Sequence, residues 1–166
     1  MKPIALFTVI LTVGLTTNVA LANNVATKKA ASVVSEKADK EAQKIATIKN
    51  MYQQDIDHEG EDHPVVLQQY ASKDLQAAMQ LERDYFDKTQ LSCHIGYDVL
   101  WDSQDPDYNQ HKKFSVTKQG LVEVNLAQGS TVDYELACDD KECRVHDVIV
   151  DKQGTSLKEY LHKECQ

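Results

Sequence analysis

No nucleophile elbow, zinc-protease helix or phosphate loop interrupts this sequence: Gly-x-Ser-x-Gly, His-Glu-x-x-His and the glycine-rich Lys-Ser/Thr loop are all missing. Their absence removes the reaction classes that a short motif can announce. Cys-x-x-Cys is missing too, because Cys138 and Cys143 enclose four residues, and this argues against a thioredoxin-like redox role. Positive charge is scarce. Eighteen Lys and Arg face 26 Asp and Glu, a net charge of −8 that disfavours nucleic acid and anionic membranes, both of which attract basic surfaces. Internal repeats and low-complexity linkers are absent, so one domain is expected.

Charge is also missing from the start of the chain. After Lys2, residues 4–15 are uncharged, and the stretch closes on Ala20-Leu21-Ala22, a small-x-small ending. This pattern predicts a secretory signal peptide over residues 1–22, cleaved after Ala22. Thr16, Thr17 and Asn18 cut the apolar run short of the roughly 20 residues that a membrane span needs. No cysteine follows the cleavage point to carry a lipid, so neither kind of membrane anchor is expected. The competing reading is a buried N-terminal helix.

Cleavage would leave 17 basic and 26 acidic residues, a net charge of −9, in a chain long enough to bury about two-thirds of its unfolded surface. A periplasmic or secreted location follows. In that setting the even set Cys93, Cys138, Cys143 and Cys165 reads as two disulfides.

Periodicity organises the remainder. Residues 23–32 are small and polar and read as a flexible start, with a single domain over 33–166. Val34, Ala38, Ala42, Ile45, Ile48, Tyr52 and Ile56 recur at helical spacing and predict a long amphipathic helix that covers the core. A short helix over 64–70 and a second clear helix after the N-cap Ser72 follow, the latter burying Leu75, Ala78, Met79, Tyr85 and Phe86.

Beyond Leu91 the period becomes two: Cys93, Ile95, Tyr97, Val99 and Trp101 alternate as in a strand. Strands over 114–118, 121–126, 131–138 and 143–150 are separated by the turn signals Gln119-Gly120 and Gln128-Gly129-Ser130 and by a four-residue loop, Asp139 to Glu142. A short C-terminal helix follows Ser156. The expected fold class is α+β: N-terminal helices packed on a curved antiparallel sheet of four to five strands, then a short helix.

Three cysteine pairings are formally open. The hairpin favours one, because Cys138 and Cys143 flank its loop symmetrically and should face each other within disulfide reach; Cys93 is then left to pair with Cys165. The same register sets Leu136 against Val145 and Tyr134 against Asp147, which puts a carboxylate on an otherwise apolar face. A buried carboxylate must be hydrogen-bonded or neutralised. Asp147 therefore either contacts a ligand inside a cavity lined with Tyr97, Trp101 and Tyr134, or is turned away by a bulge or caps a backbone group. Trp101 either plugs the core or joins Asp102, Gln104 and Asp105 in a partner-binding loop.

The acidic stretch 55–63 imitates the start of a calcium loop, but its twelfth position is Val66 where a bidentate Glu is required. A solvated turn or a weak divalent site are the two readings. No metal ligand set, cofactor or catalytic residue is assigned.

Several short segments together resemble the YbjP/YqhG-like family of exported bacterial proteins of unknown function. They are the leading helix ending near Tyr52, Tyr70-Ala71-Ser72-Lys73-Asp74-Leu75, Asp102 with Gln104-Asp105, Val145-His146-Asp147-Val148-Ile149, and Gly154-Thr155-Ser156-Leu157 with Leu161. More broadly, the pattern is similar to cystatin-like or nuclear-transport-factor-2-like cone folds. The resemblance covers residues 42–161 and departs from the family in the absent lipidation cysteine and in Val145, where an aromatic is common. It implies a periplasmic location and a pocket between a curved sheet and its helices, and it supplies no catalytic residue.

Three functions follow as expectations. The first is a non-enzymatic binding protein whose partner is another protein of the cell envelope, as in immunity or inhibition. The second is a small-ligand-binding cone domain with a pocket around Asp147. The third is a hydrolase or isomerase using that carboxylate.

Overall fold

Helices form here where an apolar stripe meets a cap, and strands where alternation meets a glycine turn. The computed structural model describes residues 20–61, 64–150 and 153–166, with side chains from residue 34 onward. The expected export signal falls mostly on residues 1–19 and His63 of the acidic stretch on 62–63, both outside the described residues. The chain divides into two compact units, Met1–Glu36 and Lys37–Gln166. Among the described residues no helix is long and apolar enough to cross a membrane.

Helix α1 (Ala20–Asp57) includes residues 23–32, which the sequence suggests are loose. Its expected core stripe is only half used. Val34 is 69 % exposed and Ala38 and Ala42 are also exposed, whereas Ile48, Met51, Tyr52 and Asp55 are buried. Amphipathic spacing states which face can be buried, and among residues 34–57 the fully buried side chains all lie from Ile48 onward.

Helix α2 (Val66–Tyr70) directs Val66 and Leu67 inward. Helix α3 (Lys73–Thr89) is capped by Ser72, whose hydroxyl accepts the Leu75 N–H. It buries Leu75 and Ala78 and half-buries Met79 and Tyr85, but Phe86, expected inside, is 49 % exposed. Helix α4 (Leu157–Glu164) starts on Ser156, which accepts the Glu159 N–H at 2.9 Å, and buries Leu157 and Leu161.

The sheet is a four-stranded antiparallel meander, β1 (Lys112–Val116), β2 (Val122–Leu126), β3 (Thr131–Cys138) and β4 (Cys143–Ile149), in that spatial order. Gly120 and Gly129 occupy positive φ, 86° and 95°, in the two tight turns, a region where a side chain would be strained. Val122, Val124, Val132, Tyr134, Leu136, Val145 and Val148 form the buried inner face. Lys44 of α1 donates to the Gly120 carbonyl at 2.8 Å and Tyr52 packs edge-on to Phe114 and Tyr134, which lays residues 44–52 of α1 across β1–β3.

Two expectations are corrected. Residues 93–101 form turns and no strand, so the sheet has four strands. The alternation there is broken by Gly96 at φ 87°, by Asp98 accepting the Leu100 N–H at 2.8 Å, and by Asp102 at φ 47°.

The second concerns the last hairpin. Cys138 opposes Cys143 and Leu136 opposes Val145, as the cysteine symmetry requires. A bulge between Glu135 and Leu136 then shifts the register, so Tyr134 faces Val148 and Asp147 faces Glu135. His146 is the extra residue.

Both expected disulfides are formed, Cys93–Cys165 and Cys138–Cys143, as befits a protein of an oxidising compartment. The first closes a 72-residue separation and the second only five. In the chain-entropy account they stabilise by about 4 and about 2 kcal/mol respectively. Urea unfolding should therefore show Cys93→Ala/Cys165→Ala losing roughly twice the stability of Cys138→Ala/Cys143→Ala; equal losses would contradict the account.

Candidate functional site

Twenty-two residues, 90–111, connect α3 to β1 without a helix or strand of their own. A connection this long inside a compact domain is uncommon and usually has a function. What holds it is specific. Cys93 ties its start to the end of α4, and the Tyr97 hydroxyl donates to the Val150 carbonyl at 2.8 Å. Gln104 donates across the loop to the Gly96 carbonyl, and Gln128 donates to the Trp101 carbonyl at 2.7 Å.

The deepest anchor is aromatic. Trp101 is fully buried and its indole N–H donates to Asp55 Oδ2 at 2.5 Å. Its ring meets Tyr52 and Tyr108 edge-on at 5.1 and 5.3 Å, with Lys112 Nζ 4.7 Å from the ring centre. The Tyr52 hydroxyl donates to the Leu100 carbonyl and so accepts from Tyr134, 2.9 Å away. Burial raises the pKa of both phenols.

This loop, the end of α1, α2, α3 and α4 line a half-open cavity of about 230 Å³. By burial, Val66, Leu67, Leu100, Leu157, Leu161 and Asp55 form its floor, and Val65 and His94 lie at its exposed rim. Met79, Glu82, Tyr97 and Asp98 complete the wall. Asp98 is the unusual group: loss of water on burial, with the nearby charge of Asp55, raises its pKa to about 6, against the opposing pull of the Leu100 and Trp101 amides. His94 Nδ1 accepts the Gly96 N–H at 2.7 Å, which leaves that nitrogen unprotonated.

Of the four residues expected to line a pocket, only Tyr97 does so here; Trp101, Tyr134 and Asp147 are elsewhere. Trp101 and Tyr134 belong to the core cluster, the plugging alternative for the tryptophan. Asp147 is buried, but its Oδ1 accepts the Val148 and Lys158 N–H groups at 2.9 and 3.3 Å, and its Oδ2 lies 3.8 Å from the Lys158 ammonium. It caps α4, one of the two structural readings of that carboxylate. Asp102, Gln104 and Asp105 are exposed together on the turn after Trp101. In the acidic stretch Asp55 turns inward to the indole and Asp57 accepts from Gln53. Among the described residues no three His, Cys, Asp or Glu side chains converge to hold a metal.

Asp98 is the residue that sequence reading passes over, and Asp55, read there as the start of a calcium-like stretch, has a different place. Asp55 sits on the α1 stripe, three after Tyr52 and four after Met51, a carboxylate where the period calls for an apolar residue. Asp98 lies among Tyr97, Val99 and Leu100, one of the polar positions in an alternation that forms no strand.

The Asp98 shift carries a pH signature. Its folded pKa is raised above the unfolded value of 3.8, so the fold is favoured with Asp98 neutral, and that advantage is lost as pH rises from about 4 through about 6. Asp98→Asn keeps an acceptor for the Leu100 amide while removing the charge. It should stabilise by about 1–3 kcal/mol at neutral pH and by nearly nothing near pH 4, measured by urea unfolding; an equal effect at both pH values would contradict the burial argument. No family model, no curated protein and no solved structure matches this chain.

Proposed function

We propose that the protein is an exported, non-enzymatic binding protein whose partner is another protein of the cell envelope, in the manner of an immunity or inhibitor protein. One observation carries this reading: two large apolar side chains, Val65 at 47 % and Phe86 at 49 % exposure, stand beside the cavity. Val65 is on its rim, and both residues line a shallower adjoining groove with Pro64, Gln68 and Met79. Apolar groups left in water around a small, half-open cavity match the anchor-and-surround anatomy of protein interfaces. The volume, about 230 Å³, falls below the roughly 300–1,000 Å³ typical of free small-molecule sites and suits a single side chain. The charge of −9 after removal of residues 1–22 favours a basic partner.

A periplasmic address after cleavage at Ala22, and membership of the YbjP/YqhG-like family with its cone fold, belong to the same proposal. They are supported by the opening sequence, the two disulfides and the order of helices and strands. Asp102, Gln104 and Asp105 provide a second polar contact surface on the same loop. The small-ligand reading draws on the cavity beside Asp98, in place of the expected pocket at Asp147. Hydrolysis or isomerisation by Asp147 has less support, because that carboxylate is occupied by backbone amides and Lys158.

A photoreactive benzoylphenylalanine in place of Phe86 should cross-link the protein to one discrete partner in the envelope fraction. The same probe at exposed Glu135 on the opposite sheet face should not. Phe86→Asp should reduce the complex at least tenfold while changing stability by only about 0.5 kcal/mol. Equal adducts at both positions, or none at Phe86, would overturn the reading.

A further inference from the structure

The two edges of the sheet are finished differently. β4 is covered: Ala71 bridges to Val145, whose carbonyl accepts the Ser72 N–H at 2.7 Å, and Ser156 bridges to Ile149. β1 pairs with β2 alone. The Ala127 N–H bonds to the His111 carbonyl and the Thr117 N–H to the Leu121 carbonyl, which fixes the alternation between them. Lys113 and Ser115 therefore turn their main-chain groups to β2, and Lys112, Phe114 and Val116 turn theirs to the open side. Among the described residues these three make no main-chain hydrogen bond outside the sheet. Phe114 and Val116 are only half-buried, although they share the inner face with Val122 and Val124.

Charge sets this edge apart from the rest of the chain. Residues 108–122 contain three Lys and no Asp or Glu, in a chain with 26 acidic residues. Lys113 is exposed on the outer face of β1, and Lys118 is exposed in the turn that follows. Lys49 of α1, also exposed, holds its ammonium 5.6 Å from the Phe114 ring centre. The acid on the next strand, Glu123, is engaged through Oε1 by the Ser115 hydroxyl and the Asn125 amide.

We infer that β1 accepts an extended segment of a partner protein as an antiparallel fifth strand. The open main-chain groups of Lys112, Phe114 and Val116 supply its ladder. Its alternate side chains are apolar beside Phe114 and Val116 and acidic on the face of Lys113, with Lys49 and Lys118 extending the positive field. A second copy of this chain fits poorly, because pairing two β1 strands brings both sets of lysines onto one seam. The inference goes beyond the reading of the Phe86 face, since α2, α3 and α4 contact β4 at the other edge of the sheet.

The test titrates the intact, disulfide-bonded protein at neutral pH with a capped heptapeptide of alternating Glu and Val. Two control peptides carry Lys in place of Glu, or N-methyl groups on the Val amides that face β1. Readouts are the nuclear magnetic resonance shifts and exchange rates of the main-chain amides of β1. The Glu peptide should shift and protect Phe114 and Val116 saturably, with a Kd of about 0.5 mM, and leave the exchange of Lys113 and Ser115 unchanged. Both controls should bind at least tenfold more weakly. Lys49→Glu/Lys113→Glu should weaken the Glu peptide about tenfold and admit the Lys peptide, with the Trp101 indole signal of the folded state retained.

Three results overturn the inference. The first is no saturable protection of Phe114 and Val116 up to about 10 mM peptide, which leaves the lysines as guards of an unused edge. The second is equal binding of either control peptide. The third is protection that rises with protein concentration alone, which makes a second copy the occupant. Loss of cross-linking at Phe86 touches none of these outcomes.

Discussion

Tyr52 is the residue on which the other parts of the structure converge. Its hydroxyl donates to the Leu100 carbonyl and accepts from Tyr134, and its ring stands edge-on to Trp101, Phe114 and Tyr134. One side chain therefore joins α1, two strands of the sheet (β1 and β3) and the long loop. Both polar atoms at its tip are satisfied, which matters because an orphaned buried hydroxyl costs about 1–3 kcal/mol. Removing the ring would open a void at the meeting point of three layers, where core truncations cost about 3–5 kcal/mol.

The cavity is a consequence of this junction. With Leu100 and Trp101 pinned from below, the preceding residues 94–98 arch over α3 and α4, and Cys93–Cys165 with the Tyr97–Val150 bond holds that arch in place. The carboxylates come with the arrangement. Asp55 is needed to accept the indole N–H, and Asp98 is needed to turn the chain by accepting the Leu100 amide. Each has a structural duty, and burial, with the charge of Asp55 nearby, raises the Asp98 pKa to about 6, a perturbation of the kind that clusters at functional sites.

Much of the fold was legible because its signals are local. Ser72 and Ser156 cap helices through their own hydroxyls, Gly120 and Gly129 sit where only a positive φ closes the turn, and the flanking cysteines of the last hairpin announce their own pairing. Illegibility began where tertiary context decides. The alternation of 93–101 has the period of a strand, but Gly96, the side-chain turn at Asp98 and the disulfide at Cys93 fold it into turns that join no strand of the sheet. The bulge at His146 likewise left no trace in the pattern of apolar residues. One extra residue was enough to move Tyr134 off Asp147 and to hand that carboxylate to the first turn of α4. The candidate site was therefore missed as a set although its members were visible singly: Asp55 as a break in a helical stripe, Asp98 as a charge among aromatics.

The Tyr52–Trp101–Asp55 junction makes the cavity floor a rigid, preformed part of the core. Native-state hydrogen exchange of the Trp101 indole N–H, followed over increasing sub-denaturing guanidinium, tests this directly. Exchange is expected only through global unfolding, with an opening free energy and denaturant slope matching those of the buried β2 and β3 amides. Exchange through a small, denaturant-insensitive local opening would show that the floor is not preformed and would contradict this expectation.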